Sequence, residues 1–287
     1  MYISSTLKII SCVFFAIGNY LTKKCAIPGA QLFCYQSFLG ALFLIPFVSS
    51  FSWKKSLSIL WILRFVLGAL GSLFWVYSLK KLSLFDVMSL QFVTPLMTTL
   101  GAVFFLKEPM SPLRFSAILL SFVGALFVTV GRWSGENQSW IWGPSLFLPV
   151  FASLCSGGVN LLSKKILDQS NIILITFQQF FVNGLVVLLV SLMSGRCALW
   201  PSLSRGDLYF LFCLTLCVVM AHLCLYFAMI YADLLVLIPL GSIRALLTIA
   251  CGLLFLNERP GMTALCGTIL IIVSMGVLSC SVKRPSL

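Results

Sequence analysis

The stretch Asp233–Glu258, DLLVLIPLGSIRALLTIACGLLFLNE, decides the fold class. It is longer than the roughly 20 apolar residues a helix needs to cross a bilayer, yet between its acidic ends it carries a charge, Arg244, near the middle. A guanidinium at bilayer depth costs at least about 2.5 kcal/mol and stays ionised. Arg244 must therefore face protein, water or an anionic ligand rather than lipid. The stretch predicts a membrane helix turned toward a cavity.

A second stretch, Ser83–Glu108, SLFDVMSLQFVTPLMTTLGAVFFLKE, repeats the first at an offset of 150 residues. Phe105-Leu106-Lys107-Glu108 answers Phe255-Leu256-Asn257-Glu258. Gln91, Thr94, Pro95 and Thr98 follow an i, i+3, i+4, i+7 spacing that puts them on one helical face, and they fall on Gly241, Arg244, Ala245 and Thr248. Arg244 thus belongs to a face that is polar in both copies. Thr and Gly on such a face also serve close helix packing in lipid, but packing does not account for the arginine.

Composition places the whole chain in the membrane. Of 287 residues, 60% are hydrophobic and 9% charged, with a mean hydropathy of +1.09, whereas soluble domains carry about 25% charged residues. Ten segments reach spanning length, at about 5–22, 30–50, 57–79, 84–106, 112–131, 143–163, 171–194, 206–229, 232–256 and 262–281. Almost nothing is left for an extramembrane domain. The net charge of +12 does not imply nucleic acid, because Lys and Arg stand singly or in pairs near segment ends, where they anchor to headgroups. Lys8, Lys54, Lys55, Lys107, Arg114, Lys164, Lys165, Lys283 and Arg284 gather on one side, nearly balanced by the other, so charge hardly chooses an orientation. The eleven Cys lie mostly in apolar spans without metal-ligand spacing, and no cofactor is implied. The first segment, with no small-residue cleavage pattern behind it, reads as a retained span.

Further pairs extend the repeat. Asn19-Tyr20-Leu21-Thr22-Lys23-Lys24 returns as Asn160-Leu161-Leu162-Ser163-Lys164-Lys165, so N-x-L-[ST]-K-K closes both the first and the sixth segment. Tyr35-Gln36-Ser37-Phe38 returns as Phe177-Gln178-Gln179-Phe180, placing a glutamine amide inside the membrane in each half; such amides bond across helices or contact a substrate. Trp75-Val76-Tyr77-Ser78 in the third segment corresponds to Leu225-Tyr226-Phe227-Ala228 in the eighth. His222, the one histidine, lies in the eighth segment, either as a neutral imidazole bonded to a neighbouring helix or as a titrating switch. Residues 132–142, with Trp133 and Trp140 suited to the interface, link the halves.

Five segments per repeat is an odd number, so the second copy enters the membrane from the opposite side. The expected fold is an all-α integral membrane protein of ten transmembrane helices in two inverted five-helix repeats, 1–131 and 143–287. Inverted repeats hold a site near the midplane and expose it alternately to the two sides.

Over nearly its full length the chain resembles the ten-helix, EamA-like branch of the drug/metabolite transporter superfamily. The likeness rests on the two halves, the aromatic endings of segments 3 and 8, Pro95, and the turns Lys107-Glu108-Pro109 and Asn257-Glu258-Arg259-Pro260. It implies a central cavity lined by segments 1, 3, 4, 6, 8 and 9, hence by Asn19, Trp75, Gln91, Thr94, Asn160, His222 and Arg244. The chain departs from the family pattern in lacking a proline opposite Pro95 and in carrying glutamines where many relatives have a basic residue.

One strong cation, amides, hydroxyls and the aromatics Phe15, Trp75, Tyr77, Phe92, Tyr226 and Phe227 suit a small zwitterion. Arg244 can take a carboxylate by two parallel hydrogen bonds, and aromatic faces a ring or a cation. This combination is similar to what the S-adenosylmethionine/S-adenosylhomocysteine exchangers of obligate intracellular bacteria require. An exporter of aromatic or other amino acids is the alternative; phosphorylated sugars would call for a second cavity cation. Glu108 and Glu258 sit in turns and suit helix capping. With no carboxylate near a segment midpoint, diffusion or exchange is favoured over a proton pump. A membrane-embedded enzyme would need a nucleophile with its base or a metal cluster, and a scaffold needs no buried arginine. The expected partners are a small-molecule substrate and the lipid of a bacterial inner membrane, with no nucleic acid.

Overall fold

The computed structural model describes residues 2–48, 58–91, 147–167, 171–195, 200, 202–232, 234–258 and 261–281, with positions 94, 98, 101 and parts of 112–127. The described chain is all-helical: α1 (Tyr2–Lys24), α2 (Gly29–Leu44), α3 (Ile59–Lys81), α4 (Leu84–Gln91), α5 (Phe147–Leu167), α6 (Ile172–Met193), α7 (Arg205–Tyr231), α8 (Leu234–Phe255) and α9 (Met262–Ser281). Five stretches among the described residues are long and apolar enough to cross a membrane: Ile3–Lys24, Gly29–Phe47, Ile59–Lys81, Ile172–Met193 and Arg205–Tyr231. The 132–142 link, Phe92, Pro95, Glu108 and Pro109 lie outside the described residues.

Helix ends follow local chemistry. The second segment, expected over 30–50, leaves the α-helix at Leu44 and closes in a 3-10 turn, Ile45–Phe47, because Pro46 has no N–H for the i−4 carbonyl. Asn171 starts α6 by accepting from the Ile173 amide at 2.9 Å. At α7, Ser204 and Asp207 form a reciprocal capping box.

Three pairs of neighbours set the architecture. Ser11 donates to the Ala221 carbonyl, and Gly18 faces Leu214 and Val218, so α1 and α7 run antiparallel. Arg64, Leu67 and Gly71 meet Ser163, Gly158 and Cys155, so α3 and α5 do the same. Between α2 and α6 the packing is reciprocal: a Cβ on Gly40 would lie 2.8 Å from the Phe180 ring, and one on Gly184 would lie 3.1 Å from the Phe38 ring. Each helix lends a phenylalanine to the other's glycine notch, which brings the backbones close, as membrane helices require when no hydrophobic drive joins them.

The lysines of the repeated N-x-L-[ST]-K-K motif tie neighbouring helices together. Lys23 donates to the Leu82 carbonyl just beyond α3. Lys164, read from sequence as a headgroup anchor, donates to Met229 and Ala232 carbonyls at 2.6 and 3.1 Å, at the C-terminal end of α7. Unpaired carbonyls at a helix C-terminus attract a cation, and in apolar surroundings that attraction outweighs a watery headgroup for a side chain within reach.

Glu258 caps a helix far away in sequence. Asn257 adopts a left-handed φ of 53°, which Asn tolerates better than most residues. The Glu258 amide bonds back to the Gly252 carbonyl at 3.1 Å, which closes the C-terminal end of α8. Its carboxylate accepts from the amides of Leu84 and Phe85 at 2.9 and 3.2 Å, at the N-terminus of α4. The sequence places the cap on the helix that follows; the turn at Asn257 points it across the molecule instead. Glu258→Ala should lower stability by about 2 kcal/mol, with Glu258→Gln recovering part of the loss, read as the thermal midpoint in detergent. An unchanged midpoint for the Ala variant would remove the cap from the account.

Candidate functional site

The face of α1 that carries Lys8, Cys12, Phe15 and Asn19, at i, i+4, i+7 and i+11, opens onto a cavity of about 250 Å³. That volume suits a small metabolite, not a peptide. Parallel to α1, α8 contributes Arg244: Cys12 reaches the Leu240 carbonyl one turn earlier and Asn19 reaches Thr248 one turn later. The guanidinium lies between two aromatic faces, 4.4 Å from the Phe15 ring centroid and 4.9 Å from that of Trp75. These contacts hold the charge but satisfy none of its N–H donors, and the buried Arg244 Nε has no partner.

A short hydrogen-bonded chain sets this geometry. Trp75 donates its indole N–H to Asn19 Oδ1 at 3.2 Å, Asn19 donates to Thr248 Oγ1 at 3.2 Å, and Thr248 donates to the Arg244 carbonyl at 2.8 Å. Both ends of the Asn19 amide are used, so Asn19 orients Trp75 over Arg244. Thr98 repeats the last of these bonds, donating to the Thr94 carbonyl at 2.8 Å.

On α7, His222 stands among the rings of Phe15, Phe180 and Tyr226, at centroid distances of 5.1, 5.6 and 5.9 Å. Its Nδ1 is buried with no hydrogen-bond partner, so the bond to a neighbouring helix expected from sequence is not made by that nitrogen. Tyr226 is held from behind: Arg64, fully buried, donates to Tyr226 Oη at 2.8 Å and to Ser163 Oγ at 2.9 Å. Arg64 is not among the cavity-lining residues; in the sequence it stands apart from the helix-end charges, as Arg244 does, but nothing there assigns it a role.

A third group consists of amides. Gln179 donates to Asn183 Oδ1 at 2.8 Å along α6, while the buried Oε1 atoms of Gln179 and Gln36 have no partner. Gly68 makes the space: a Cβ there would lie 2.2 Å from Gln179 Nε2. All three face the cavity.

Of the residues expected at the site, Phe15, Asn19, Trp75, Gln91, Thr94, Asn160, His222, Tyr226 and Arg244 all line this one cavity. Tyr77 does not: its ring packs against Gly29 at the start of α2. Phe227 is 39% exposed on the outside of α7, and Phe92 lies outside the described residues. Lys8, assigned from sequence to a membrane surface, lines the cavity. The cavity therefore holds two basic side chains rather than one, and no Asp or Glu is among the described residues that line it. A second basic side chain gives a multiply charged anion a second point of attachment in the cavity.

The family model described as the EamA-like transporter family matches residues 3–130 and 143–280. The chain belongs to the EamA-like transporter family. This EamA-like protein is a multi-pass transporter of the bacterial inner membrane rather than an enzyme. It is 27% identical over 255 residues to a riboflavin transporter of Rhizobium johnstonii, covering 85% of this chain and 78% of the relative. It is 25% identical over 259 residues to an S-adenosylmethionine uptake transporter of Rickettsia conorii, covering 89% and 84%, and 24% identical over 242 residues to one of Rickettsia bellii, covering 83% and 79%. A crystal structure superposes with a TM-score of 0.67 over 98% of this chain and 99% of its own at 14% identity, a likeness of fold alone.

Proposed function

We propose that this EamA-like carrier moves a small metabolite combining a heteroaromatic ring with a carboxylate, taking up S-adenosylmethionine in exchange for S-adenosylhomocysteine. The observation that carries the reading is the unpaired Arg244 guanidinium between Phe15 and Trp75. A carboxylate can use the free N–H fork while the ring lies among the aromatics. The unpartnered Gln36 and Gln179 oxygens can accept hydrogen bonds from an adenine amino group. Relatives named for S-adenosylmethionine uptake match most of both chains. Riboflavin is the second reading, favoured by the Rhizobium johnstonii relative; its polarised ring carbonyls would then meet the guanidinium.

The mechanism we propose is alternating access by two inverted five-helix repeats. Packing supports it. Exchanging the halves turns the α1/α7 contact into the α5/α3 contact and maps α2/α6 onto itself. Lys23 and Lys164 perform the same task in the two halves. Asn19 is bonded to Thr248, whereas Asn160 and Thr98, the same pair by the repeat, are not bonded to each other. One pair is thus bonded while its counterpart is not, an asymmetry of the kind that an exchange of conformations between the halves would use.

Proteoliposomes loaded with or without S-adenosylhomocysteine test the reading. Labelled S-adenosylmethionine should accumulate only with internal counter-substrate, and collapsing the proton gradient should leave this counterflow largely intact. If riboflavin or tryptophan exchanges and the adenosyl compounds do not, the substrate assignment fails while the transporter stands.

A further inference from the structure

Lys8 lies on the same face of α1 as Phe15, the ring that covers Arg244. Seven residues of helix separate Lys8 from Phe15, about 10 Å along the axis, and a lysine stem reaches about half that distance toward a common point. Lys8 makes no hydrogen bond and no ion pair among the described residues, and no carboxylate lines the cavity with it. Water inside a half-closed cavity hydrates an ammonium poorly. A cation left without a counter-charge there is incomplete until a ligand supplies one.

We propose that Lys8 is a second substrate ligand, which forms with Arg244 a two-cation pole for the substrate's acidic oxygens. The inference rests on reading the cavity as the substrate site, but not on the adenosyl assignment. The pole ranks ligands of similar shape by charge. Two carboxylates, or a phosphate, bind better than one carboxylate, and one carboxylate better than a neutral amide. S-adenosylhomocysteine, which lacks the sulfonium charge, should bind more tightly than S-adenosylmethionine, and the gap should narrow when Lys8 is neutralised. Arg244 supplies the fixed, two-pronged end of the pole, and Lys8 supplies a mobile point charge that adapts to the second acidic group.

Phthalate, benzoate and benzamide share a ring and differ in charge, so they probe the pole without presuming the natural substrate. Binding to the purified transporter in detergent, read as the shift of its thermal midpoint across a concentration series, should rank phthalate above benzoate by about tenfold in affinity, and benzoate above benzamide. Lys8→Gln should erase the phthalate advantage and leave benzamide unchanged; Lys8→Arg should keep the ranking. Equal losses for all three ligands in Lys8→Gln would make Lys8 a structural residue and overturn the proposal. So would an unchanged ranking in that variant, or phthalate binding no better than benzamide to the native protein. If the ranking holds while neither adenosyl compound nor riboflavin is transported, the substrate reading fails and the pole stands. If the adenosyl compounds exchange but the ranking is absent, the pole fails alone.

Discussion

Arg244→Ala should weaken substrate binding by roughly 2 to 5 kcal/mol, a loss of about thirtyfold to several thousandfold, because it removes a charge-assisted pair and strands a carboxylate in a partly dehydrated cavity. The magnitude follows from the surroundings. The guanidinium is held by two ring faces, its Nε has no protein partner, and no acidic side chain among the described residues lines the cavity. Arg244→Lys keeps the charge but loses the planar fork that stacks between Phe15 and Trp75, so it should restore only part of the affinity. A substrate analogue with a neutral amide in place of the carboxylate should bind the native protein weakly and lose little more in the Ala variant. That non-additivity marks direct contact. Equal losses for acid and amide in a folded Ala variant would instead assign Arg244 to the architecture.

Arg64→Ala should cost about 3 kcal/mol of stability. The side chain is fully buried, and its loss leaves a void like those of other large-to-small core changes and strips the partners from Tyr226 and Ser163. Removing a desolvated charge offsets part of that cost, since buried ions are expensive in themselves. Arg64→Met separates the two effects. It fills most of the space without the charge, so it should unfold within about 1 kcal/mol of the native protein, yet leave the Tyr226 hydroxyl without its anchor and weaken ligand binding through a displaced ring. Thermal midpoints and ligand affinity, measured on the same preparations, give both numbers. A Met variant as unstable as the Ala variant would show that the hydrogen bonds, not the volume, hold α3 to α5 and α7.

The parts legible in sequence are those with strong local contrast. Arg244 stands out because a charge in the middle of an apolar stretch has few allowed surroundings. The same contrast hides Lys8, which lies near the beginning of α1, where a cation usually means a headgroup anchor. The i, i+4, i+7, i+11 spacing of Lys8, Cys12, Phe15 and Asn19 carries the missing signal, since a residue on the face of Phe15 and Asn19 shares their surroundings. Trp75 and Tyr77 show the converse error. Two residues apart on a helix, they point to nearly opposite sides, so naming both as cavity residues cannot be right for a single cavity. The repeat was visible as letters, but the work of Lys23, Lys164 and Glu258 was not, because each acts on a backbone that comes near only after folding.

Under the alternating access and the two-cation pole proposed above, the empty transporter would also be sensitive to voltage. A membrane potential exerts about 2.3 kcal/mol per elementary charge per 100 mV, so a protonated Lys8 together with Arg244 would bias an unloaded carrier toward the conformation that puts its mouth on the negative side. A bound dianion cancels that bias, and the loaded carrier then turns over with little regard to the field. Charge in the wall and charge in the cargo thus decide together which half of the transport cycle the cell's electrical potential can drive.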